Sequence, residues 1–185
     1  MKSLREQFEE DYEAVPYVAQ PGGKVKIRYV YDGPWYIWDI PENLLKSKKQ
    51  KLTGLSIISL VLFIGTALIP AGLNTWSLTA IAGIFSLAAH ILELFGVIRF
   101  LIVPYQTTRM DYNYINGLLR IVPWIRGICL LAAGVCGIFY MAGNTFTLPG
   151  LAAFAGYLAG AVLAFVLAVQ YKNIPFTTKK NESRE

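Results

Sequence analysis

The sequence predicts an all-α integral membrane protein: four transmembrane helices forming two tandem helical hairpins of the same orientation, behind a small cytoplasmic segment with a short β-hairpin. Three observations lead there. The 185 residues are 55% apolar or aromatic and only 16% charged, with a mean hydropathy of +0.44, whereas a water-soluble domain carries roughly a quarter charged residues. Four runs are long and apolar enough to cross a bilayer core of about 30 Å, which takes about 20 residues of helix. The basic residues obey one orientation. The same composition excludes disorder, and two cysteines are too few for a disulfide scaffold.

Residues 1–51 read as a cytoplasmic lead-in. Ser3 to Glu13 has helical composition with an acidic face, and Pro16, Pro21, Gly22 and Gly23 end it. Lys24 to Tyr29 alternates basic and apolar residues with period two, and Trp35-Tyr36-Ile37-Trp38 follows Asp32-Gly33-Pro34. This pattern predicts a hairpin turning at Asp-Gly, although Pro34 opposes a plain two-residue loop. Two strands alone are marginal in water, so the hairpin is expected to rest on the membrane interface, where Trp and Tyr are enriched. Asp39-Ile40-Pro41-Glu42 reads as a helix start leading through Asn43 to Lys51. With five acids in residues 1–20 and no apolar core, a cleavable signal peptide is not expected.

The transmembrane domain, 52–171, comprises spans 52–70, 76–103, 121–142 and 148–171, and residues 172–185 form a cytoplasmic tail. Nine Lys or Arg precede the first span, four (Arg99, Arg109, Arg120, Arg126) lie at or near the middle connection, and four follow the last span. The two remaining connections, 71–75 and 143–147, hold none. Basic residues near span ends stay inside, so both termini and the middle connection are expected in the cytoplasm of a multi-pass cell-membrane protein. The run Lys46, Lys48, Lys49, Lys51 is expected to contact lipid headgroups, at about 1 kcal/mol per residue for anionic lipid. Outside the short hairpin no basic face carries interleaved stacking aromatics, so a nucleic-acid partner is not expected.

Two motifs recur at an offset of 70 or 71 residues. Ala71-Gly72-Leu73-Asn74-Thr75 resembles Ala142-Gly143-Asn144-Thr145 at the outer turns, and Val103-Pro104-Tyr105-Gln106-Thr107-Thr108 resembles Ile174-Pro175-Phe176-Thr177-Thr178 at the inner exits. A duplicated hairpin explains both. In span four, Ala152, Gly156, Gly160, Ala164 and Ala168 make a small-residue packing stripe. Such residues let helix backbones approach in lipid, serving either the bundle or a homodimer seam, and the bundle offers the nearer partner.

His90 and Glu93 are the only histidine and the only acid inside a span, and three residues apart they share a helix face. Glu93 lies about ten residues, hence about 15 Å, from the inner end of its span, and Arg126 enters span three from the same side. A carboxylate there costs about 2.5 to 3.5 kcal/mol on insertion scales, which the eleven Leu, Ile, Phe and Val between Ser77 and Ile98 offset at about 0.3 to 0.6 each. Three arrangements fit: a proton or cation site with His90 as relay; a Glu93–Arg126 pair that locks the bundle; or a neutral Glu93 hydrogen-bonded to His90 or a hydroxyl.

With one histidine and no nucleophile elbow, P-loop or cysteine pair at ligand spacing, no enzyme, metal site or cofactor is expected. Cys129 and Cys136 read as free thiols. Arg109, Asp111, Tyr112, Asn113, Tyr114 and Asn116 read as an interfacial loop with a tyrosine belt. The sequence therefore points to a non-enzymatic scaffold, accessory or immunity-type subunit, with lipids, a second copy or other membrane proteins as partners. The alternative is a small transporter built on Glu93 and His90.

Overall fold

The computed structural model describes residues 4–18 and 25–179. It is mostly helical, and four of its helices are long and apolar enough to cross a membrane: α2 (Glu42–Leu68), α4 (Ser77–Ile102), α5 (Arg109–Gly143) and α6 (Leu148–Lys172). They close into a ring in which α4 packs on α5, α5 on α6, α6 on α2 and α2 on α4. A one-turn helix, α3 (Gly72–Thr75), bridges α2 and α4 at one end of the ring. Short connections between antiparallel neighbours are the usual joinery of a helical bundle.

α2 begins ten residues before the apolar run, continuous with the basic segment as the sequence suggests. α5 departs further from expectation. It starts at Arg109, so Asp111 to Asn116 is helix rather than loop. Hydropathy misses this stretch because it is amphipathic: Tyr112, Ile115 and Leu119 are buried at helical spacing while Asn113, Tyr114 and Arg120 face out. Thr108 caps the helix, its hydroxyl accepting from the Asp111 N–H at 3.3 Å, as Thr147 caps α6 at Gly150.

The predicted hairpin is corrected. β2 (Val25–Tyr31) pairs antiparallel not with β3 (Trp35–Trp38) but with β1 (Tyr12–Val18), which follows α1 (Leu4–Asp11). Pro16 does not end the helix but sits within β1, tolerated because both strands of a two-stranded ribbon are edges. Pro21, Gly22, Gly23 and Lys24 lie outside the described residues. The N–H groups of Asp32 and Gly33 both donate to the Asp11 carbonyl, at 2.8 and 3.2 Å, which binds this turn to the end of α1 and leaves β3 free.

β3 instead becomes the middle strand of a second sheet, between β4 (Gln106–Thr107) and β5 (Phe176–Lys179), antiparallel to both. Tyr36 faces Thr107 on one side and Thr178 on the other, and Ile37 faces Gln106 and Thr177. The two inner-exit motifs thus pair with the same residues. Trp38 is 2% exposed and packs edge-on to Phe100 with ring centroids 5.2 Å apart, tying the sheet to the inner core of Leu45, Leu52, Ile115, Leu119 and Leu167. The outer core is smaller, built from Leu73, Leu130, Ala133, Ala153, Tyr157 and Ala161.

Candidate functional site

On three helices the buried positions recur mostly every three or four residues, and each stripe brings a polar group to one common meeting point. On α2 it is Ser56, between Leu52 and Ser59; on α4 it is His90 and Glu93, between Ser86 and Val97; on α5 it is Arg126, between Val122 and Leu130. Ser56, Glu93 and Arg126 have no exposed surface, and His90 is 2% exposed.

The four side chains meet. Ser56 Oγ donates to Glu93 Oε1 at 2.9 Å, and Glu93 Oε2 stands 3.1 Å from Arg126 Nε as an ion pair. Arg126 Nη1 lies 2.6 Å from His90 Nδ1, and His90 Nε2 lies 3.2 Å from the Ser56 carbonyl. One tautomer satisfies both imidazole contacts: Nε2–H donates to the carbonyl and the Nδ1 lone pair accepts from the guanidinium. A second proton on Nδ1 would point at a cation. Arg126 Nη2 has no hydrogen-bond partner among the described residues.

Of the arrangements expected for His90, Glu93 and Arg126, the ion pair is present, and the hydroxyl reaching Glu93 belongs to Ser56. His90 contacts Arg126 and not Glu93, so no direct His90–Glu93 relay is formed. Ser56 carries no signal that separates it from Ser59 or Ser86 in the sequence; its role follows from a helix crossing.

The small-residue stripe turns into the bundle over most of its length. Gly160, Ala164 and Ala168 are buried, Gly156 is half-buried and Ala152 is exposed. A Cβ on Gly160 would stand 3.1 Å from Leu130 on α5, and one on Gly156 would meet Thr66 on α2. Among the lysines expected at headgroups, Lys46 and Lys51 are exposed and Lys48 half-buried. Lys49 departs from that expectation: it is buried, 5.4 Å from the Phe100 ring, and donates to the Val103 carbonyl at the end of α4. Helical pitch places it in line with Leu45, Leu52 and Ser56, facing inward.

A polar network at the α3 end of the ring carries no signal in the sequence. Asn74 Nδ2 donates to the carbonyls of Thr66 and Ile69 at 2.9 and 3.0 Å, and Asn74 Oδ1 accepts from the Tyr157 hydroxyl at 2.8 Å. It adds a second donor to two carbonyls at the end of α2 that already accept from the Ile69 and Ala71 N–H groups. Cys129 and Cys136 are free and half-buried, and no cluster of metal-ligating side chains occurs among the described residues. No family model, curated protein or solved structure matches the chain.

Proposed function

We propose that this chain is a four-span membrane protein with both termini and the α4–α5 connection cytoplasmic, acting as a non-enzymatic scaffold, accessory or immunity-type subunit. The three-block distribution of Lys and Arg supports that orientation. Duplication of a helical hairpin is supported by β4 and β5, which carry the recurring exit motif and flank β3 at matching positions. The buried quartet then serves as a lock between α2, α4 and α5.

The observation that carries the functional reading is the β1–β2 ribbon. One of its faces presents Ala14, Pro16, Val25, Ile27 and Tyr29, all exposed, with Val25 at 66% and Ile27 at 64%. Contiguous apolar surface of this kind marks an interaction site, and both ribbon edges keep backbone groups available for pairing. The ribbon is held at the inner end by the Tyr31 hydroxyl, which accepts from the Arg109 N–H at 2.9 Å, and by Arg109 beside Asp11 at 3.5 Å. The alternative, ion translocation through the quartet, is favoured by Arg126 Nη2, a buried donor where a water could sit.

Two measurements separate these readings. Proteoliposomes of the wild type and Glu93→Gln are expected to show the same low proton and cation flux; a wild-type flux that the variant abolishes overturns the lock. A photoreactive residue at Ile27 is expected to capture a discrete protein partner in cells, in an adduct that Tyr29→Asp removes, and adducts to lipid alone would overturn the docking role.

A further inference from the structure

Beside β3, where the inner ends of α5 and α6 meet β5, lies a cavity of about 230 Å³ whose walls include Trp38, Tyr112, Asn116, Arg120, Tyr171 and Lys172. No carboxylate lines it. Arg120 and Lys172 are exposed, and neither forms an ion pair among the described residues. The Trp38 indole N–H is buried and finds no acceptor among the described residues, although a buried indole N–H is nearly always hydrogen-bonded. The hydroxyls of Tyr112 and Tyr171 make no hydrogen bond to another described residue, and the Asn116 amide is equally unspent.

A second cavity, of about 260 Å³, lies at the inner ends of α2 and α4 and supplies the contrast. In the tandem reading Lys49 there is the counterpart of Arg120, and Val103 that of Ile174. Lys49 is spent on the Val103 carbonyl, and Glu42 shares the wall. That cavity sets a carboxylate against its two lysines, Lys46 and Lys49; the one between α5 and α6 holds two uncompensated cations and unused donors.

We propose that the α5–α6 cavity binds a phosphate-bearing anion, either a phospholipid headgroup or a free phosphate compound. A phosphate offers several acceptor oxygens and one to two negative charges, matching two cations and the donors of Tyr112, Tyr171 and Asn116 in one recess walled by the Trp38 ring. The headgroup source rests on the membrane reading of the four helices; the free-phosphate source does not.

The test uses the full chain with 15N-labelled tryptophan, in neutral detergent with inorganic phosphate and in nanodiscs with dioleoyl phosphatidic acid, phosphatidylcholine being the control. The Trp38 indole resonance is assigned by elimination, replacing Trp35, Trp76 and Trp124 singly with Phe. That resonance is expected to move saturably with phosphate or phosphatidic acid while those of Trp76 and Trp124 stay in place. Arg120→Gln with Lys172→Gln, both at exposed positions, is expected to weaken binding about tenfold or more, and Lys48→Gln with Lys51→Gln less than about twofold. A response to phosphate in detergent assigns free phosphate compounds, and a response to phosphatidic acid alone assigns the headgroup. A Trp38 resonance unmoved by either probe overturns the proposal. Equal losses in the two lysine- and arginine-depleted variants also overturn it, because they mean a diffuse basic surface.

Discussion

The buried positions of α2 and α4 include Ser56, Ser59, Thr66, Thr79, Ser86, His90 and Glu93, whereas those of α6 and the facing stretch of α5 include Leu130, Ala133, Gly134, Ala153, Ala161, Ala164 and Leu167, with Tyr157 and Tyr171 the hydroxyl-bearing members. The first pair is held by directional bonds and the second by close approach. Hydrogen bonds at 2.9 to 3.2 Å fix the register of α2 against α4, while Ala and Gly let α5 and α6 come together by van der Waals contact. α5 belongs to both regimes, since Arg126 reaches α4 and Gly127 beside it packs under Phe165. The fully buried charges, Glu93 and Arg126, meet at one point of one helix triplet, so the two halves are expected to fail differently.

The sharpest way to break the polar half is Arg126→Leu, which strands Glu93 without its cation. Removing one partner of a buried pair costs about 3 to 5 kcal/mol, and a large fall in thermal midpoint in detergent is expected. Arg126→Leu combined with Glu93→Leu is expected to recover most of that loss, since no charge is left buried. A double variant as unstable as the single would show that packing around Arg126, and not the charge, carries the effect.

The apolar half is probed by Gly127→Leu. A side chain there meets the Phe165 ring, within 2.7 Å of its Cζ for the first added carbon alone, and overpacking costs about 1 to 3 kcal/mol. The expected fall in midpoint is smaller than for Arg126→Leu and unaffected by Glu93→Leu, because the sites share no partner. A loss that Glu93→Leu relieves would join the two halves into one network.

The smallest effect is expected outside the bundle. Burial pushes the Tyr31 phenol from its usual 10 up to about 12, against the N–H of Arg109, which pulls it down. The stability the neutral phenol contributes is full below pH 10 and is lost as pH rises toward 12. Trp35 packs edge-on to Tyr31 with centroids 4.7 Å apart, so its fluorescence is the natural reporter of ribbon release. Tyr31→Phe is expected to remove this pH dependence, leaving the bundle midpoint unchanged.

How far the site was legible follows from what each residue signals alone. His90, Glu93 and Arg126 stand out because an ionisable group in an apolar run is costly wherever it faces. Ser56 does not, since a hydroxyl in a helix can bond its own preceding turn, as Thr66 does with the Leu62 carbonyl. The run of lysines reads as one lipid-facing surface because its members share one composition, while helical pitch sends Lys49 inward. The β2–β3 hairpin failed for a related reason: Asp32-Gly33 is a sound local turn signal, and the Asp11 carbonyl and the two distant exit strands outcompeted it.

The sequence by itself determined the four long apolar helices, the three blocks of positive charge and the motif that recurs beside β3, because hydropathy, charge and repetition are properties of position along the chain. Only the tertiary structure decided that Arg126 stands between Glu93 and His90, that Lys49 turns inward onto the Val103 carbonyl while Arg120 stays exposed, and that β3 joins residues 106–107 to 176–179. Those contacts link segments tens of residues apart, and the geometry of helix crossings, which no local pattern encodes, selects them.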